Sequence, residues 1–202
     1  MIKNIIFDFG GVLVDWDPRH FYRTVFEDEN EMEEFLGTVC TSEWNVEQDR
    51  GRTLIEATEL KIKEFPEKEE LIRMYYDQWH LMFNGVIQKN VDLIRPFKEE
   101  FEVYGLTNWS ADTYPTALEL FPFLLEFEGR VVVSGRVKLI KPDPAIFELL
   151  LNQFTLKADE SIFIDDNAAN IATAKSLGFK TVHCLPETDV KAEIDQMIAD
   201  LN

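Results

Sequence analysis

The sequence predicts an α/β fold, a three-layer sandwich in which helices cover both faces of a parallel sheet. Short runs rich in β-branched and aromatic residues alternate with longer segments of helical periodicity, the pattern of repeated strand–helix units. Several runs are continuously apolar rather than alternating, as strands buried on both sides must be. Hydroxyl, ammonium and carboxylate side chains follow these runs, where ligands gather in open parallel sheets.

The first run, residues 3–7, leads into Asp8-Phe9-Gly10-Gly11-Val12-Leu13. Residues 17–85 then break the alternation, with helical patterns at 21–36, 53–65 and 67–83 and no strand. A helical insertion explains this, bounded near 15–18 and 84–86, where Pro and Gly interrupt the pattern. The expected division is a core of residues 1–15 and 86–202 and a helical unit of residues 16–85. The acidic run 27–34 reads as a solvated helix face.

Strand 102–106 precedes Thr107-Asn108, and strand 130–133 precedes Ile140-Lys141-Pro142-Asp143. Asp143 and Pro144 supply an N-cap and a first-turn proline, after which Ile146, Leu149 and Leu150 share a stripe. Strand 161–164 precedes Asp165-Asp166-Asn167, and residues 167–177 form a helix closed by Gly178. Strand 180–184 precedes a last helix with Val190, Ile194, Met197, Ile198 and Leu201 on one face.

A composition of 46% hydrophobic and 29% charged residues is that of a folded chain rather than a disordered one. With 20 Lys+Arg against 38 Asp+Glu, the net charge of −18 argues against a nucleic-acid binder and against docking on an anionic membrane. Cys40 and Cys184 lie in no metal-like or redox-like spacing and read as free thiols of a reducing compartment. The amino-terminal residues are apolar only up to Asp8, too short for a signal-peptide core, so a cytoplasmic location is expected. No feature specifies an oligomeric state.

Taken singly, a post-strand Asp is commonly a cap or turn former, and a lone Thr or Lys is commonly solvated. The adjacent pair Asp165-Asp166 is rarer, because two neighbouring carboxylates repel unless a cation or hydrogen-bond donors compensate. The specificity lies in the set. Asp8, Thr107, Lys141 and Asp166 suit phosphoryl transfer through a carboxylate, with Asp8 as nucleophile dividing one difficult hydrolysis into two steps. A hard cation such as Mg²⁺ would take oxygen ligands from Asp8, a backbone carbonyl, Asp166 and water. Thr107 and Lys141 would hold the non-bridging phosphate oxygens.

These motifs resemble those of the haloacid dehalogenase superfamily of Asp-nucleophile hydrolases. Asp8-Phe-Gly-Gly-Val-Leu is similar to its first motif, Thr107-Asn108 to its second, Lys141-Pro142 to its third and Asp165-Asp166-Asn167 to its fourth. The helical insertion after the first motif resembles the subgroup with a helical C1-type cap. The form Asp-Asp-Asn-Ala-Ala-Asn is similar to sugar-phosphate phosphatases and to the phosphatase domain of soluble epoxide hydrolases. The resemblance implies a Rossmann-like sheet in the order 5-4-1-2-3, a small helical-bundle cap and a small phosphorylated metabolite as substrate. It implies Gly10 as a metal ligand through its carbonyl, Asp166 as a direct ligand and Asp165 behind it, with Asn108 among the phosphate contacts.

Two departures from the family pattern stand out. Gly10 replaces the acid that most of its phosphatases carry two residues after the nucleophile, the group that protonates the leaving group. Its absence favours good leaving groups, and Asp15, Asp17 and His20 are candidate substitutes. Asn170 replaces a frequent acid and is expected to orient the loop or a metal-bound water. Trp16, Arg19 and Trp109 are candidates for packing or for substrate contact. Two other readings stay open: a metal-independent dehalogenase, disfavoured by the Asp165-Asp166 pair, and a non-enzymatic phospho-switch or binding protein.

Overall fold

The computed structural model describes residues 1–200 and contains the strands β1 (Asn4–Phe7), β2 (Val14–Trp16), β3 (Phe83–Val86), β4 (Glu102–Thr107), β5 (Val131–Val133), β6 (Ser161–Asp165) and β7 (Lys180–His183). Five of them form a parallel sheet in the order β5-β4-β1-β6-β7. Numbered among themselves, these five strands have the expected 5-4-1-2-3 order, and each lies within one residue of its sequence-derived bounds. The continuous apolar runs have the expected cause: β1 is buried at all four positions and β6 at all five.

Side-chain alternation splits the core in two. Ile5, Phe7, Val103, Ile162 and Ile164 face one layer, with Ile94, Phe97, Phe127 and Ile194 packed into it. Ile6, Tyr104, Leu106 and Phe163 face the other, covered by Ile146, Phe147 and Leu150 of helix Pro144–Phe154 and by Ile171 and Ala174 of helix Ala168–Ser176. Val190 and Ile194 of the last helix are buried as its stripe requires; Leu201 lies outside the described residues.

The region after β2 differs from its sequence reading in detail. The expected helix 21–36 is two helices, Pro18–Tyr22 and Glu29–Thr38, each started by an Asp side chain that caps it, Asp17 and Asp28. Helix Ser42–Asp49, started by the Thr41 hydroxyl, has no counterpart in the sequence reading. Helices Leu54–Glu64 and Glu69–Asp77 follow, and the expected helix 67–83 stops early: Trp79–Met82 is a 3₁₀ turn and Phe83 begins β3. Tyr22, Phe35, Trp44 and Tyr75 form an aromatic core there, with Trp44 and Tyr75 edge-on at 5.1 Å.

Strands β2 and β3 are a correction to the all-helical reading. They pair antiparallel, with a register shift between Asp15 and Trp16. At three and four residues they are too short to display a period of two, and their pairing joins segments remote in sequence. Cys40 and Cys184 are free and buried, and among the described residues no helix is long and apolar enough to cross a membrane.

Gly105 shows how tightly β4 packs beside the loop after β1. A Cβ there would lie 2.6 Å from the Phe9 ring and 2.9 Å from Val131 Cγ2. Gly105→Ala is expected to destabilise the fold by about 1–3 kcal/mol through overpacking, seen as a lower urea midpoint with an unchanged slope.

Candidate active site

The parallel sheet brings three chain segments to one edge. Asp8 follows β1, Thr107 ends β4, and Asp165 ends β6 with Asp166 next to it. Lys141 arrives from the segment before helix Pro144–Phe154 and places its ammonium beneath the cluster. Its Nζ lies 2.8 Å from Asp8 Oδ2 and 2.7 Å from Asp165 Oδ2, and it donates to the Leu106 carbonyl at 2.9 Å. The Lys141 side chain is fully buried and that of Asp8 is 10% exposed.

Each member is held by its neighbours. Asn108, expected among phosphate contacts, has its side chain on the Lys141 main chain: Nδ2 donates to the carbonyl at 3.0 Å and Oδ1 accepts from the N–H at 2.9 Å. Asp165 accepts from the Asn167 N–H at 2.8 Å and from Asn170 Nδ2 at 3.0 Å on both oxygens. Asn170 thus fixes the buried carboxylate rather than facing outward. Asp166 is exposed, and it reaches the cluster across Gly11. A Cβ on Gly11 would stand 2.1 Å from Asp166 Oδ2, and the residue has φ +71°, so only glycine fits this turn without strain. Phe9 N–H donates to Asp8 Oδ1 at 2.7 Å.

Asp8, Asp165 and Asp166 each offer a carboxylate oxygen, all within 4.8 Å of one another. Three carboxylates against one ammonium leave a formal excess of two negative charges. This oxygen-only donor set fits a hard divalent cation. Thr107 is fully buried and its Oγ1 has no hydrogen-bond partner, a donor aligned with a ligand-binding role rather than with stability. Above Gly10 the space is open, with nothing within 4 Å of a Cβ placed there.

Burial pushes the Asp8 carboxyl up to about 8; Lys141 pulls it down, and Asp165 and Asp166 push it further up. Burial likewise raises Asp166, with Asp165 adding to the effect. Burial opposes the charge on Lys141, but Asp165 and Asp8 outweigh it and hold the ammonium above its ordinary value.

The remaining predicted residues separate. Asp17 caps its helix by accepting from Arg19 N–H at 2.8 Å and also pairs with the Arg19 guanidinium, which meets Glu33 as well. Asp15 lies 3.3 Å from His20 Nε2 and accepts from Asn84 Nδ2 at 3.0 Å. Of these three acids and bases, Asp15 alone borders a cleft shared with Gly11 and Asp166. A second cavity, beside Gly10 and Asn108, is walled by Trp16 and Trp109 and by Asn45, Asp49 and Tyr76 of the helical segment. Sequence reasoning missed these last three, which sit in helices whose polar positions carry no distinguishing signal.

The family model of the haloacid dehalogenase-like hydrolases matches residues 5–184 of the chain. A D-ribitol-5-phosphate phosphatase of Bacteroides thetaiotaomicron is 26% identical, covering 90% of this chain and 91% of its own. A sesquiterpene phosphatase of Aspergillus oryzae is also 26% identical, covering 97% and 96%. Among solved structures, a haloacid dehalogenase family enzyme of B. thetaiotaomicron in complex with magnesium and inorganic phosphate superposes with a TM-score of 0.74. Its identity is 22%, over 96% of this chain and 99% of that one, a likeness of fold.

The raised Asp8 value has a consequence for stability. Its native value exceeds the ordinary 3.8, so the folded state retains a proton that the unfolded chain has lost, and its contribution to stability declines as pH rises from about 4 to about 8. The melting temperature of EDTA-treated protein is expected to fall between about pH 5 and about pH 8, and Asp8→Asn to flatten that fall. Added Mg²⁺ should stabilise more at the upper pH, where the carboxylates are free to bind it.

Proposed function

The chain belongs to the haloacid dehalogenase-like hydrolases, and from that membership we propose a phosphatase that hydrolyses a small phosphorylated metabolite through an aspartyl-phosphate on Asp8. The observation that carries this reading is the convergence of Asp8, Lys141, Asp165 and Asp166 at one sheet edge beside the unpartnered Thr107 hydroxyl. Two relatives matched over nearly their whole length are both phosphatases by name, one of them a D-ribitol-5-phosphate phosphatase.

Asp8 attacks phosphorus with one carboxylate oxygen as the P–O bond to the substrate alcohol breaks and the alcohol departs with a proton from solvent; water then attacks the acyl phosphate, releasing inorganic phosphate and returning the Asp8 carboxylate. Lys141 orients the attacking carboxylate and sets positive charge next to the phosphate oxygens. Thr107 Oγ1 donates to a non-bridging oxygen and so gains the partner that the protein itself does not provide. Asn108 and Asn170 act through Lys141 and Asp165, fixing the two ends of the ion pair. Asp8, the Gly10 carbonyl and Asp166 would hold Mg²⁺, with Asp165 behind them; the ion supplies neutralisation between the carboxylate and the phosphate dianion. Residues 16–85 form the cap over this edge, with β2 and β3 as its stalk, and opening and closing of that cap admits substrate and excludes water.

A panel of phosphate esters assayed for phosphate release tests the reading. EDTA should abolish turnover and Mg²⁺ restore it, and Asp8→Asn should reduce release to background; equal release by wild type and Asp8→Asn would refute the assignment. Thr107→Val should lower kcat about 10²-fold, the loss typical of one donor to a charge-developing oxygen. Its melting temperature should hold or rise, because the substitution removes a buried hydroxyl that no protein group satisfies.

A further inference from the structure

Strand β7 carries none of the residues assigned to the site, yet its carboxyl end reaches both loops on which the site is built. His183, its last residue, lies opposite Asp165 in the register of β6 and β7. Its Nε2 stands 2.9 Å from the main-chain carbonyl of Asp166. A carbonyl only accepts, so Nε2 carries the hydrogen. It does so both in the neutral ring of that tautomer and in the charged ring.

We propose that His183 is a positioning residue for the metal loop: by holding the Asp166 carbonyl it aims the Asp166 carboxylate at the ion. The inference rests on the Mg²⁺ site of the proposed reading and adds to it a residue that sets the affinity.

Three observations support it. First, the peptide unit between Asp166 and Asn167 is planar, so its C=O and N–H turn together. The Asn167 N–H donates to Asp165 Oδ1 at 2.8 Å, while the Asp166 C=O accepts from His183. Asp165 is itself fixed by Lys141 and Asn170. One end of the plane is thus anchored in the buried cluster and the other on β7. Without the imidazole a single hydrogen bond remains, and the plane is free to turn about it.

Second, the Asp166 side chain has little else to direct it. Asp8 and Asp165 pair with the Lys141 ammonium, whereas the Asp166 carboxylate forms no ion pair among the described residues and accepts from its own main-chain N–H. Its direction therefore follows from its backbone. The seat is narrow, since Oδ2 would lie 2.1 Å from a Cβ on Gly11.

Third, the residue after His183 braces the loop on the opposite side. The Cys184 N–H donates to the Asp165 carbonyl at 2.9 Å. Asn90, 1% exposed, donates through Nδ2 to Cys184 Sγ at 3.3 Å and to the Val12 carbonyl at 2.8 Å. The end of β7 thus fixes the Asp166 turn and the loop after β1 relative to each other. These are the segments that would supply Asp166, Asp8 and the Gly10 carbonyl to the ion.

Calorimetric titration of EDTA-stripped protein with Mg²⁺ tests the assignment. His183→Ala should bind Mg²⁺ about tenfold more weakly than wild type, the lower end of what loss of a ligand-orienting contact costs. His183→Gln, which keeps an N–H donor at similar reach, should recover most of that loss. The urea midpoint without metal should be the same in all three proteins, because the ring is only half-buried and water can take its place on the carbonyl. In a phosphate-release assay, the Mg²⁺ concentration for half-maximal rate should rise with the dissociation constant, and the rate at saturating Mg²⁺ should fall by less. Equal affinity of wild type and His183→Ala overturns the proposal, as does a loss that His183→Gln repeats in full. A midpoint without metal that falls in step with the affinity would mark a merely structural residue and overturns it too. Wild type that binds Mg²⁺ but releases no phosphate from any ester sinks the phosphatase reading and leaves the calorimetric assignment standing; wild type that binds no Mg²⁺ overturns both.

Discussion

The buried Lys141 ammonium is the constraint on which the site depends. It is fully enclosed, it touches two carboxylates and a main-chain carbonyl, and among the described residues it alone forms ion pairs with Asp8 and Asp165. A charge in that position is tolerable only with its partners in place, and loss of one partner leaves the other uncompensated, at a typical cost of about 3–5 kcal/mol. The surrounding polar contacts follow from this. Asn108 fixes the Lys141 main chain, Asn170 and the Asn167 N–H fix Asp165, and β1, β4 and β6 must stay in register for the three segments to meet.

That arrangement is not one that stability alone would select. Three carboxylates share one ammonium, the Asp8 carboxyl is held far above its ordinary range, and Thr107 buries a hydroxyl with no partner. On the proposed reading, each feature would become favourable with a divalent cation and a phosphate dianion in the site. The net charge of −18 would not oppose that binding, because distant surface charge is screened beyond about 8–10 Å whereas Lys141 lies within the cluster itself. The local field, rather than the overall charge, sets the affinity for an anion.

The large sheet was legible because its strands are covered on both faces. Residues such as Ile5, Ile6 and Phe7 have no solvent side, so burial writes a continuous apolar run into the sequence. The residues after each strand were legible for a related reason: Asp8, Thr107 and the Asp165-Asp166 pair stand at boundaries that the runs themselves mark. By contrast, β2 and β3 are too short to carry a period, and the break between helices Pro18–Tyr22 and Glu29–Thr38 falls in a stretch whose composition still suits a helix. The Asn108 side chain shows the limit from another direction. Its place just after β4 is marked by the strand before it, while its contact with Lys141 depends on a neighbour 33 residues away.

The residues of the cavity wall are harder to read from the sequence than those at the strand ends. Asp49 and Glu43 are acids on the same helix, one recessed beside Trp16 and Trp109 and the other exposed to solvent. Sequence periodicity separates them weakly, because helix Ser42–Asp49 has only Trp44 and Gln48 buried and no strong apolar stripe. What distinguishes Asp49 is the approach of Trp109 and Ser110, which belong to the loop after β4 and come from the other side of the chain. The loop itself is fixed by the core, since the Trp109 N–H donates to Ser134 Oγ at 2.9 Å beyond the end of β5. The carboxylates and Thr107 are therefore placed by strand ends that the sequence marks, whereas the cavity wall depends on how the helical segment meets the loop after β4.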